Sequence, residues 1–214
     1  MKINLKIISA SFISSDEKCD TLEEKKLVPK MMLRRRLTRG AKIAIYLASK
    51  VGYEKERIIF GSAYGEVKAT VDIVESIYNK TLLSPTAFQN SVHNTPASYL
   101  SILSENQSEV TTVSDLFDTS LSVLKTGAIK ALKGDRLLLL NVDAFNFDGV
   151  KEMNSCSISK LESGVALIVE VTDEKANISI ENIKNSEISP SLWQMLEIYN
   201  KSKKLDNPIV EIEI

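Results

Sequence analysis

The hydrophobic and polar positions along the chain change period several times, and each change marks an element. Residues 2–13 (KINLKIISASFI) are β-branched and partly alternating, which predicts a strand. A charged loop follows to about Pro29. Leu37, Ala41, Ala44, Ile45, Ala48 and Val51 then recur at helical spacing and predict one helix over 34–51 with a single apolar stripe. Residues 57–62 (RIIFGS) read as a short buried strand that breaks at Gly61, and Val67, Val71, Val74, Ile77 and Tyr78 as an amphipathic helix. The stretch 84–96 (SPTAFQNSVHNTP) is rich in turn residues and reads as a loop, with a short helix over 97–104 after it.

Residues 109–114 (EVTTVS) predict a buried strand, and Phe117, Leu121, Leu124, Ala128 and Leu132 a helix that Gly134 ends. The continuous apolar run 135–142 (DRLLLLNV) has the character of a central parallel strand. Residues 163–171 and 176–183 predict two strands joined by a turn, 189–199 a short helix, and 208–214 (PIVEIEI) an edge strand. Strands alternating with helices of a dozen residues or more define the α/β class, with helices layered on a largely parallel sheet. No internal repeat or low-complexity linker divides the chain, so one domain over 1–214 is expected.

Composition narrows the function. Hydrophobic residues make up 43% and charged residues 26%, which argues against disorder, and no apolar run approaches the roughly 18 residues of a membrane span. The opening MKINLKIISASFISS has the look of a secretory signal, but Asn4 and Lys6 interrupt it and a first strand is the better reading. With 27 basic and 28 acidic residues the net charge is −1, so nucleic acid is not an expected partner. The basic cluster 30–39 (KMMLRRRLTR), with Arg34, Arg35 and Arg36 at its centre, reads either as a solvated helix start or as a contact for the acidic face of a carrier protein. Cys19 and Cys156 lie far apart without metal-ligand spacing and read as free thiols in a reducing cytoplasm. With His93 the only histidine, neither a metal site nor a cofactor is expected.

Candidate chemistry concentrates at the junction of strand 109–114 with the helix opening near Phe117. A strand-to-helix turn can hold a nucleophile at a helix amino terminus, where unpaired N–H groups and the dipole stabilise negative charge. Here the turn reads SDLFDTS (114–120), and no Cys or Ser in it has an obvious base beside it.

The stretch TTVSDLFDTSLSVLKTGAIKALKGDRLLLLNVDAF (111–145) resembles the nucleophile segment of the β-ketoacyl synthases, within the thiolase fold. PKMMLRRRLTRGAKIA (29–44), FGSAYGE (60–66) and SPTAFQNSVHN (84–94) resemble a divergent ketosynthase-like group known from its amino-terminal domain, and ESGVALIVEV (162–171) is similar to the later core strand of that half. The resemblance implies half of a thiolase-like fold, with helices layered on a mixed, mainly parallel five-stranded sheet. It also implies that the family's first half ends where this chain does, at Ile214. Aligning Thr119-Ser120-Leu121 on the family's small-small-Leu puts Phe117 where the catalytic cysteine stands, and a phenyl ring carries no acyl thioester. The two histidines, or histidine and asparagine, that stabilise charge during decarboxylation belong to the family's carboxy-terminal half, and His93 lies in a different motif.

No catalytic residue is therefore assigned. The resemblance implies a chain-length-factor-type subunit, pairing as a heterodimer with a full-length β-ketoacyl synthase or with itself as a homodimer across strand 109–114. Its setting would be fatty-acyl, polyketide or aryl polyene synthesis. Ser114, Phe117, Thr119, His93 and Asn94 are the candidate tunnel or interface residues, and Arg34–Arg36 the candidate carrier-protein contact. Each has a plainer reading: Phe117 as core at a helix start, His93 and Asn94 in a structural loop bond, Tyr64 and Glu66 as residues that order the helix after them. Two other classes stay open, an acyltransferase whose displaced nucleophile is Ser114 or Cys156, and a module that only binds acyl carrier protein.

Overall fold

The computed structural model describes residues 1–145, 158–181 and 187–214. Its strands are β1 (Lys2–Ser15), β2 (Arg57–Gly61), β3 (Val110–Val113), β4 (Leu137–Ala144), β5 (Glu162–Val171) and β6 (Ile209–Glu213), in one sheet of order β3-β2-β4-β5-β1-β6. β2 pairs in parallel with β3 and β4, whereas β4–β5, β5–β1 and β1–β6 are antiparallel, so β1 to β4 all run the same way. This is a mixed sheet with helices layered on it, an α/β fold, with six strands rather than five. The predicted pairing of 163–171 with 176–183 does not form. Long β1 takes the edge of β5 that such a hairpin would need. Of 176–181 only Ile178 makes a bridge, parallel to Val210, and 182–183 lie outside the described residues.

The helices are α1 (Glu24–Leu27), α2 (Met31–Arg36), α3 (Arg39–Lys50), α4 (Val67–Tyr78), α5 (Pro85–Asn90), α6 (Thr95–Leu103), α7 (Thr119–Ala131) and α8 (Trp193–Ser202). The single helix predicted over 34–51 is two. Leu37 is extended, and the Thr38 side chain accepts from the Ala41 N–H at 3.0 Å, restarting the helix with an N-cap. The predicted loop at 84–96 contains α5, because Ser84 caps it and Pro85 fits the first helical turn, where its missing N–H costs nothing.

Alternation along the strands sorts the core into two layers. Leu138, Leu140 and Val142 of β4 pack with α3 and α6, while Leu137 and Leu139 pack with α7 and α8 on the other face. β1 keeps its alternation through a bulge between Ile7 and Ser9, so Ile3, Leu5 and Ile7 face the α7 layer and Ala10 and Phe12 follow them there. β3 is not the buried strand predicted: it stands at the sheet edge with all four residues half-buried.

One ion pair ties the first loop to the sheet. Glu162 on β5 is fully buried and receives Arg39 at 2.6 and 2.7 Å, together with the Cys19 N–H at 2.8 Å. Burial, then the Glu162 charge, pushes the Cys19 thiol up to about 12, which leaves it unreactive. Removing one partner of a buried pair strands the other charge, at a cost of roughly 3–5 kcal/mol. Arg39→Met is expected to lower the unfolding free energy by that amount, read as a lower denaturant midpoint at constant m-value, and Arg39→Met with Glu162→Gln to recover part of it.

The turn after the edge strand as candidate functional site

β3 leads into a tight turn that a short 3₁₀ helix, Leu116–Asp118, joins to α7. The turn is closed locally. The Asp115 N–H donates to Thr119 Oγ1 at 3.0 Å, that hydroxyl donates to the Leu116 carbonyl at 2.7 Å, and Ser122 donates to the Asp115 carboxylate at 2.6 Å. Leu116 sits at φ 43°, the left-handed region that costs a leucine about 1–2 kcal/mol. Leu116 and Phe117 are both exposed, at 66% and 51%, while Thr119 and Ser120 are fully buried.

The base of the turn rests on β2 and β4. Gly61 makes this possible: a Cβ there would stand 2.6 Å from Val123 Cγ2 and 2.9 Å from Thr119 Cγ2, so only glycine lets the start of α7 lie on the end of β2. Asp143, at the end of β4, is buried and gathers four donors. The Ser62 hydroxyl reaches it at 2.9 Å, the Ala63 N–H at 3.0 Å and the Ser189 hydroxyl at 3.0 Å, with the Ser191 hydroxyl completing the set. Asn141 donates to the Ser191 carbonyl at 2.6 Å, and Ser120 donates to Gln194. These bonds pin the segment before α8 against the turn. They were not readable in the sequence, since the partners of Asp143, Asn141 and Ser120 lie 46 to 81 residues away.

The predicted site residues fall in two places. Ser114, Phe117 and Thr119 share the turn, and His93 approaches it through residues 62–65: Ser114 donates to the Ala63 carbonyl at 3.4 Å, and the His93 ring lies about 3.0 Å from where a Gly65 Cβ would be. Gly65 has φ +61°. Asn94 is exposed at the start of α6, where its carbonyl accepts the Ser98 N–H at 2.9 Å. Arg34, Arg35 and Arg36 occupy the last turn of α2, not the start of the long helix. Arg34 folds back onto the carbonyls of Val28 and Pro29, while Arg35 and Arg36 are exposed. Cys156 lies outside the described residues. Tyr64 stacks edge-on against Phe145 with ring centroids 4.7 Å apart. A groove of about 960 Å³ bordered by Leu121, Lys125, Ile178 and Glu211 has none of the predicted site residues among its described lining.

Chemically, the hydroxyls of the turn serve the fold. Ser114, Thr119 and Ser120 each donate to a carbonyl oxygen, and a hydroxyl so engaged has no base withdrawing its proton.

Residues 14–200 match the family described as beta-ketoacyl synthase, N-terminal domain, and the chain belongs to that family. Solved structures share its fold. It aligns with the structure of the ketosynthase ApeO in complex with its chain length factor ApeC from Xenorhabdus doucetiae at a TM-score of 0.71 and 19% identity, over 94% of this chain and 91% of that one. The ishigamide ketosynthase/chain length factor aligns at 0.62 and 13% identity, over 81% of this chain and 63% of that one. The AntDE:AntF structure, a type II PKS acyl-carrier protein in complex with its ketosynthase, aligns at 0.61 and 12% identity, over 80% and 64%. The chain thus spans under two thirds of the latter two. No curated protein sequence matched it. Among the described residues no helix is long and apolar enough to cross a membrane.

Asp143→Ala leaves several buried donors without an acceptor, and each unsatisfied group costs roughly 1–3 kcal/mol. The variant is expected to lose about 3 kcal/mol or more in equilibrium urea unfolding.

Proposed function

We propose that this chain is a non-catalytic, chain-length-factor-type subunit that pairs in the cytoplasm with a full-length, active β-ketoacyl-acyl-carrier-protein synthase in fatty-acyl, polyketide or aryl polyene synthesis. The observation that carries the reading is Phe117, exposed on the turn between β3 and α7 that the sequence resemblance aligns with the family's nucleophile segment. Its aromatic ring has no lone pair to attack a thioester, and the neighbouring hydroxyls are committed to the fold. The structural neighbours whose names pair a ketosynthase with a chain length factor support the assignment.

Pairing has a physical motive. β3 offers an open, half-buried edge, and Leu116 and Phe117 stand exposed beside it; an uncovered edge with apolar neighbours is a surface that chains in water tend to cover. In the pair, Phe117 and Ser114 contribute to the end of the tunnel that holds the growing chain, with buried Thr119 supporting them from beneath and His93 and Asn94 at its border. Exposed Arg35 and Arg36, beside exposed Met31 and Met32, offer a basic and apolar patch suited to an acidic acyl carrier protein.

A pull-down of the tagged chain from its own organism should bring a stoichiometric full-length ketosynthase, and recovery of a homodimer or of the chain alone would sink the heterodimer. With the pair in hand, Phe117→Ala is expected to lengthen the products relative to wild type, read by mass spectrometry, and unchanged length counts against the tunnel role. Incubation of the chain with an acyl-CoA or an acylated carrier should leave its intact mass unchanged, whereas a covalent adduct would revive the displaced-nucleophile reading.

A further inference from the structure

The segment from α4 to α5 is attached to the body at its two ends. Of the twelve residues of α4 only Ala69 is buried. Val74, Ile77 and Tyr78 of α4, Leu82 after it and Phe88 of α5 are all exposed. The far end is held by buried Asn90, which donates to the Arg36 carbonyl at 3.2 Å and accepts from the Tyr99 hydroxyl at 3.1 Å, while its own carbonyl accepts from Thr95 at 3.2 Å. The near end is held by Glu66, the residue before α4, which is 7% exposed. Its carboxyl accepts the Thr38 hydroxyl at 2.5 Å and lies where a Cβ on Gly40 would stand 2.8 Å from Oε1 and 3.2 Å from Pro96. Gly40 thus lets α3 close over the carboxyl.

Among the described residues, the ionisable groups of the surrounding elements face elsewhere. On α3, Arg39 points to Glu162 and Glu24, and Lys42 pairs with Glu24 at 3.0 Å. On α4, Lys68 pairs with Asp72. Arg34 of α2 is bound to the Val28 and Pro29 carbonyls, and Arg35 and Arg36 are exposed. α5 carries no ionisable residue, and on α6 Tyr99 donates to Asn90. In the 62–65 turn Tyr64 stacks on Phe145, and His93 packs on Gly65. A hydroxyl donor alone does not offset the burial of a full negative charge.

We infer that Glu66 is a proton-operated latch on the α4–α5 arm: neutral, it stays packed beneath Gly40 and Pro96; ionised, it leaves for water and frees the arm that carries the exposed apolar side chains.

The sign is fixed by the direction of the shift. Burial pushes the carboxyl from its ordinary 4.5 to about 7, against a smaller downward pull from the Thr38 hydroxyl. A folded-state value above the released-state value makes the packed arm fully stable below about 4.5 and progressively weaker as pH rises to about 7. Between pH 6 and pH 8 the packing equilibrium falls about tenfold.

Hydrogen exchange by mass spectrometry, corrected for the intrinsic pH dependence of exchange, tests this on the whole chain. Peptides covering 66–90 in wild type should lose about tenfold in protection from pH 6 to pH 8, with β4 and α7 unchanged. Glu66→Gln, which keeps an acceptor for Thr38 and carries no charge, should abolish that loss. A wild-type arm with constant protection, or a loss that persists in Glu66→Gln, overturns the inference. Should Glu66→Gln not fold, carboxyl ¹³C NMR of wild type decides: one glutamate titrating near neutral supports the latch, and all of them titrating in the ordinary range, around 4 to 5, reject it.

Discussion

Everything in this fold is arranged around a strand buried along Leu137 to Asp143. β4 is flanked by β2 and β5, and both its faces are covered, one by α3 and α6 and the other by α7 and α8. Leu137 to Leu140 are fully buried, and each contributes roughly 1.5–3 kcal/mol by leaving water. Such burial is favourable only while the strand is apolar. At its carboxyl end Asn141 and Asp143 bring polar groups into the same dry layer, where each must find a partner. Asp143 finds its donors in Ser62 and Ala63 at the exit of β2 and in Ser189 and Ser191 before α8, and the Asn141 amide donates to the Ser191 carbonyl. These bonds from one strand thereby place the segments that surround the turn after β3.

The consequence is a molecule of two characters. The body is densely packed, with buried Glu162 met by Arg39 and buried Asp143 by its donors. The edge at β3, the turn with Leu116 and Phe117, and the outer face of α4 and α5 carry apolar groups exposed in the isolated chain. Buried pairs lie beneath and exposed apolar groups above, and it is on that upper surface that the proposed pairing rests.

How much of this the sequence discloses depends on range. The strands at 2–13, 57–62, 135–142 and 163–171 and the helices beginning at Val67 and near Phe117 follow from periodicities contained in each segment. Two turn signals misled because they act as helix starters: Ser84-Pro85 opens α5, and Thr38 restarts a helix where the apolar stripe alone suggests continuity. The stretch 176–183 has strand composition, yet β1, from the other end of the chain, takes the neighbouring edge of β5. That Phe117 lies on a turn between a strand and a helix was legible because it is a spacing within one segment. The engagement of Asp143, Asn141 and Ser120, and the burial of Glu66 under Gly40, depend on contacts between distant segments that no local pattern encodes.

The left-handed backbone at Leu116 separates the shape of this turn from the identity of the residue it displays. The bend is held by Asp115, Thr119 and Ser122, none of which touches the side chain at 117 through these bonds. Whatever residue occupies that position is presented in the same place, over a base that does not have to be rebuilt. In evolutionary terms, position 117 is free to drift: a lineage that exchanges Phe for a smaller or larger side chain keeps its fold and alters only what the turn offers to its surroundings.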